Sequence, residues 1–177
     1  MRYARACIGA ALGGPVAEPP RGRWAEEARG TFVTLRFPDG RLQGCIGNVE
    51  PRRSVVEEIA HNAVAAATLD PRADALSLAD VAALDVEVSI LSPLEPIAAA
   101  TEAEALVCLT PHVHGVVLAR GSRRATFLPV MWSRFADGHA LLGALRRKAR
   151  LPEDLWDAEV RIYRYTVDRH VGRGGAS

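Results

Sequence analysis

Residues 30–47 read GTFVTLRFPDGRLQGCIG. Val33, Leu35 and Phe37 alternate with Thr34 and Arg36, the period of two that a half-buried strand requires. Pro38, Asp39 and Gly40 interrupt the run, and the DG pair supports a hairpin joining a strand over residues 31–37 to one over residues 41–46. Cys45 then stands between Gly44 and Gly47. The expectation is a tight backbone turn that holds one thiol and turns exposed N–H groups toward an anion.

Outward from this hairpin, Ser54 and Glu57 form an S-x-x-E capping box that opens a helix. At 100° per residue, Val55, Val56, Ile59, Ala63 and Ala66 share one face of it. His61 falls nearly opposite, and Asn62 falls at the edge of the apolar face beside Glu58. Asp70 and Pro71 end the helix. Residues 85–91 read as a strand, with Val86, Val88 and Ile90 on one face and Asp85, Glu87 and Ser89 on the other. Upstream, the alanine-rich residues 2–12 read as a helix ended by Gly13, Gly14 and Pro15. Residues 16–29 read as a loop around Trp24, whose indole is expected to pack rather than to stack on a ligand.

Downstream, residues 102–109 form a short helix leading into a strand. Residues 115–119 and 125–128 pair around the turn at residues 120–123. Asp137 caps a helix that runs to about residue 149, and residues 160–167 make a last strand. Helices mixed with locally paired strands point to an α+β fold, mainly antiparallel sheet with flanking helices, rather than a doubly wound parallel sheet.

With 177 residues, 49% of them hydrophobic and a net charge of +1, the chain supports a packed core and projects no strong field toward nucleic acid. Cys7, Cys45 and Cys108 lie too far apart for a CxxC pair, so a reducing cytoplasmic setting is expected. The first residues lack a secretory apolar run, and no stretch approaches the roughly 20 apolar residues of a membrane span. No phosphate loop, HExxH motif or iron–sulfur cysteine run is present, and neither a metal nor a cofactor is expected.

Cys45 reads as a binding or structural thiol in the glycine-bounded loop, or as a nucleophile. Asn62 supports that loop or meets a base edge. Glu87 pairs across the sheet with Arg36 or Arg41, serves as a general base, or faces solvent, and Ser89 extends its polar face. His112 and His114 would share a face if they lay in a strand, but Pro111 favours loop histidines over a metal pair. Arg123 and Arg124, and the run of Arg146, Arg147, Lys148 and Arg150, could clamp phosphate; helix-dipole matching and solvation explain them as well. Trp132 and Trp156 are expected to pack.

The blocks YARACIGAAL, GTFVTLRFPDGRLQGCIG, HNAVAAATLDPRADALSLADVAALDVEVSILSPLEPI, HGVVL, ATFLP and RRKARLP together resemble the AMMECR1-domain family, in the form found in the AmmeMemoRadiSam system. The resemblance covers residues 2–168 as a single domain and leaves residues 169–177 as a flexible tail. It implies an AMMECR1-like two-lobed fold with a groove between the lobes near residues 42–47. It also implies a radical SAM protein and a Memo-like protein as partners, and a part in RNA or nucleotide-base modification. On that basis the chain is an accessory or substrate-binding protein. Cys45 and Glu87 are its candidate catalytic groups, and Gly44, Gly47, Asn62, Arg36, Arg41, Ser89 and His114 its candidate ligand-binding groups. The alternative is a thiol-dependent enzyme using Cys45 on a nucleotide or small molecule. Three places depart from the family pattern: Gln43 stands where LRGCIG has arginine, Arg150 stands where KAGLP has a helix-ending glycine, and Val130 and Met131 follow Pro129 in an atypical LP element before Trp132.

Overall fold

The hairpin forms around Pro38–Gly40 as strands β1 (Thr31–Arg36) and β2 (Leu42–Asn48), which run antiparallel with Thr34 opposite Cys45. In this computed structural model, which describes residues 1–175, the register shifts between Leu35 and Arg36, so Gln43 is the extra residue of a bulge. β3 (Asp85–Leu91) pairs antiparallel with the other side of β1 and sets Glu87 opposite Thr34. The alternation read from the sequence decides which side is buried. Val33, Leu35, Val86 and Val88 turn to one face and are at most 2% exposed.

Two helices cover that face. α1 (Arg2–Ala11) contributes Ala4 and Ile8 to the core, and α3 (Val55–Thr68) contributes Val55, Ile59, Ala63, Ala66 and Ala67. The Ser54–Glu57 capping box is present, with the Ser54 N–H donating to Glu57 Oε2 at 3.0 Å. The expected loop around Trp24 contains one short helical turn, α2 (Arg23–Glu26).

The chain divides into two units, residues 1–91 with 168–177, and residues 92–167. The second carries its own antiparallel sheet. β4 (Glu95–Ile97), too short and proline-broken to stand out in the sequence, precedes α4 (Glu102–Val107). β5 (Gly115–Arg120) and β6 (Arg123–Phe127) pair as read. α5 (Gly138–Lys148) starts on Asp137, whose side chain accepts the Ala140 N–H at 2.8 Å, and β7 (Arg161–Tyr165) completes the order β4-β7-β5-β6. Leu141, Leu142 and Leu145 pack with Val116, Leu118 and Ile162.

The expected tail is corrected. Residues 167–172 form β8 (Val167–Gly172), which completes the first sheet in the order β2-β1-β3-β8. Gly174 continues the attachment by donating its N–H to Asp85 Oδ1 at 2.7 Å. The Arg5 guanidinium donates to the carbonyls of Val81 and Ala82 and of Gly172 and Arg173, fastening this end to α1. Of the expected tail, only residues 176–177 lie outside the described residues. The architecture is α+β, and among the described residues no helix is long and apolar enough to cross a membrane.

Candidate functional site

Cys45 lies within β2, not in a turn. Its outward N–H donates to Asp70 Oδ2 at 2.8 Å. Asp70 follows α3 and is 1% exposed at its side chain, where it also receives the Arg72 backbone N–H at 3.0 Å and two guanidinium bonds at 2.9 and 2.7 Å. The Arg72 guanidinium and then the Cys45 N–H hold the Asp70 carboxyl well below the usual carboxylate range. β2 is an edge strand, and this carboxylate caps its free side. Two residues earlier, the Gln43 side chain ties β2 to the backbone of the same loop. Fully buried, it donates to the Asp74 carbonyl at 2.8 Å and accepts the Asp74 N–H at 3.3 Å.

The glycines create close approach rather than an anion nest. Neither adopts a positive φ. A Cβ on Gly44 would stand 2.0 Å from the Ala66 carbonyl oxygen, and one on Gly47 would stand 2.4 Å from the Phe32 ring. These contacts let β2 lie against the last turn of α3 and let Phe32 cover the strand.

Residues directly opposite in antiparallel strands share a face. Cys45, Thr34 and Glu87 therefore form one row across β2, β1 and β3, on the face turned away from α1 and α3. The Thr34 hydroxyl donates to Cys45 Sγ at 3.2 Å. Glu87 Oε2 lies 2.5 Å from Arg169 Nη2 on β8, and the Ser89 hydroxyl lies 3.5 Å from Glu87 Oε1. Glu87 raises the Arg169 guanidinium above its ordinary value. Two strand spacings put the Cys45 and Glu87 backbones about 10 Å apart, so this carboxylate does not touch the thiol. Arg72 is within electrostatic reach of Cys45.

Other expected partners go elsewhere. Arg36 donates to the Gly40 carbonyl at 3.2 Å, and Arg41 pairs with Asp74 while lying 4.1 Å above the Phe37 ring. Neither reaches Glu87, because both are drawn into the hairpin turn and the loop beside it. Asn62 is 2% exposed and on the opposite side of the sheet, where its amide donates to Thr31 Oγ1 at 2.9 Å and to the Thr31 carbonyl at 3.2 Å. One α3 turn earlier, Glu58 accepts the Arg52 N–H at 2.8 Å and the Asn48 amide at 3.2 Å. Asn62 thus anchors β1 rather than the residue 44–47 segment. The candidate site residues therefore do not meet in one place: Cys45 and Glu87 share one face of the sheet, and Asn62 lies on the other.

His114 belongs to the second unit. Its Nδ1 accepts the Thr110 N–H at 2.9 Å, while burial and then Arg164 lower its pKa. His112 is exposed in the preceding turn at φ 64°, so the pair shares no strand face. Among the described residues no group of three or more His, Cys, Asp or Glu is placed to hold a metal. The basic run at the end of α5 is engaged internally. Arg146 is buried against Glu102, Arg147 pairs with Glu153, and Lys148 donates to the Thr126 carbonyl at 2.9 Å. Trp132 and Trp156 donate their indole N–H groups to His114 and Ala100 carbonyls.

A recess of about 370 Å³ escaped the sequence reading. It lies on the α3 side of the first sheet, lined by Met1, Trp24, Arg29, Val55, Ile59, Val88, Ile90, Asp168 and His170. Its signals were in the sequence. Residues 167–171 alternate as VDRHV, which places Asp168 and His170 on one face and Arg169 on the other.

The AMMECR1 family pattern matches residues 1–170. A Thermotoga maritima protein is 40% identical over 142 residues, covering 80% of this chain and 76% of that protein. Protein MJ0810 of Methanocaldococcus jannaschii is 37% identical over 169 residues, covering 93% and 84%. The crystal structure of the uncharacterized protein PH0010 from Pyrococcus horikoshii aligns with 97% of this chain and 93% of its own, at a TM-score of 0.81 and 30% identity. On the extent of these matches and the shared fold, the chain belongs to the AMMECR1 family.

Proposed function

We propose that this chain is a cytoplasmic accessory protein that binds a substrate for a radical SAM and Memo-like system modifying RNA or a nucleotide base. The observation that supports binding over catalysis is the row Cys45–Thr34–Glu87. It offers a hydroxyl, a thiol and a charge-balanced carboxylate along one sheet face, yet among the described residues no base touches the thiol. Ser89 extends the strip. Gly44, Gly47 and Asn62 act in this reading by shaping and anchoring the strands, not by touching the ligand. The test is association of the purified chain with a radical SAM protein and a Memo-like protein, with and without RNA, by calorimetry. Binding that Thr34→Arg abolishes and Cys45→Ser preserves supports the reading. Absence of association in every combination removes it.

One observation favours the alternative of a thiol-dependent enzyme. The Thr34 hydroxyl donates to Cys45 Sγ at 3.2 Å and the Cys45 residue is only partly buried, so a ligand can reach a sulfur that is already held in place. That enzyme would leave a covalent adduct on Cys45, visible by intact-protein mass spectrometry in a single turnover. Turnover retained by Cys45→Ala would eliminate it.

A further inference from the structure

We propose that the recess beneath α2 is a second binding site, for a small molecule combining a flat heteroaromatic ring with one anionic group. The floor is apolar, formed by Ile59 of α3 and Ile90 of β3 among others. The wall is Trp24, which is 44% exposed and, unlike Trp132 and Trp156, gives its indole N–H no hydrogen-bond partner among the described residues. A half-exposed indole over a β-branched floor accepts a planar ring by stacking, a sequence-tolerant contact that any flat π-face can make.

The rim carries the polar selectivity. Arg29 Nε is fixed on the Leu91 carbonyl at 2.8 Å, while Nη1 stands 3.8 Å from Glu27 Oε2, beyond hydrogen-bond range. Its terminal nitrogens form no hydrogen bond among the described residues. A guanidinium held by one edge, with its other edge only loosely ion-paired to the half-exposed Glu27, can exchange that partner for a carboxylate or phosphate. On the β8 side, His170 Nε2 lies 3.2 Å from Asp168 Oδ2. The pair leaves carboxylate acceptor capacity and the second imidazole nitrogen for the edge of a nitrogen-bearing ring. The volume suits a single small ligand, at the lower end of the usual range for such sites. A nucleoside monophosphate has all three features.

This site lies on the opposite face of the sheet from Cys45 and does not depend on the function proposed above, so either can fail alone. The experiment is a titration of the full chain with adenosine 5′-monophosphate, adenosine, inorganic phosphate and benzoate, followed by calorimetry and tryptophan fluorescence. Saturable binding of the monophosphate with quenching, about tenfold weaker in Arg29→Gln through loss of one charge-assisted contact, is expected. Adenosine should bind more weakly than its monophosphate, and phosphate alone should cause no quenching. Benzoate binding that is likewise lost in Arg29→Gln would show that the ring and anion suffice without a nucleoside. Trp24→Leu, tested by calorimetry, should weaken the ring-bearing probes while its unfolding midpoint stays near that of the parent. Absence of saturable binding by every probe would overturn the site. So would binding undiminished in both variants.

Discussion

Both units bury a charged side chain beside a helix, and they satisfy it differently. In the first unit, the Asp70 carboxylate receives two backbone N–H groups besides the Arg72 guanidinium, and Glu58 receives the Arg52 N–H. In the second, Arg146 is 4% exposed and pairs with the Glu102 side chain, which is 20% exposed and also 2.6 Å from His139 Nδ1. Arg146 Nε is buried without a partner. One arrangement fixes main chain, and the other ties helix to helix. Buried charges bonded to main chain position the strand that carries the candidate site. A buried ion pair between side chains is replaceable.

Asp70→Ala tests the first half most severely. It strands the Cys45 and Arg72 N–H groups, while the Arg72 guanidinium, more than half exposed, is rehydrated, so a loss of about 3 kcal/mol in urea unfolding is expected. A loss no larger than that of an ordinary surface substitution would erase the contrast. Acid probes the same carboxylate. Because its folded pKa is depressed, by Arg72 first and the Cys45 N–H second, its stabilisation is fully present above the unfolded carboxyl value of 3.8. It is lost as pH falls below that value toward the folded one. The parent should therefore lose more stability than Asp70→Ala between pH 4 and pH 2, measured by thermal unfolding at each pH.

Asn62→Leu asks whether a neutral buried group fastens backbone as firmly. It removes both bonds to Thr31 at nearly constant volume and leaves Thr31 Oγ1 short of a donor, with an expected cost of about 2 kcal/mol. Because Asn62 is on the helix side of the sheet, iodoacetamide should alkylate Cys45 at the parental rate in native variant protein. A large rate change would mean that the two faces are coupled.

The β1–β2 hairpin, the capped α3 and the alternation of β3 were legible because period and caps are local signals. The same signals gave Asn62 its helix-edge position, yet phase alone could not say that α3 packs on the side of the sheet away from Cys45. The partner of Glu87 was missed because Arg169 lies 82 residues away in a segment read as a tail. Its alternating VDRHV pattern was short and ran into a glycine-rich end. The recess was missed for a related reason: its wall and rim come from residues 24, 29, 168 and 170, joined only by sheet order. Long-range pairing carries no period.

Arg150 shows a local rule broken at modest cost. It sits at φ 59° after α5, where the Leu151 N–H bonds the Arg146 carbonyl and the Arg150 N–H bonds the Arg147 carbonyl, both at 2.9 Å. This is the closing pattern that favours glycine. The Arg150 carbonyl also accepts from Arg123 at 2.7 Å, a contact the backbone keeps whatever the side chain. Arg150→Gly should raise stability by about 1 kcal/mol, since relief of the left-handed strain exceeds the extra freedom of the unfolded chain.

Arg146→Met completes the contrast with the smallest expected change, within about 1 kcal/mol of the parent. Methionine keeps an unbranched side chain at this buried position, and it eliminates the orphaned Nε. Glu102 stays part-exposed beside His139, so its charge is not sealed away. Denaturant unfolding of Arg146→Met and of Glu102→Gln separates the roles. If the pair is dispensable, the methionine variant unfolds near the parent, while Glu102→Gln is the weaker because it leaves the Arg146 charge buried. Equal, multi-kilocalorie losses in both would place the second unit's charge in the same structural class as Asp70.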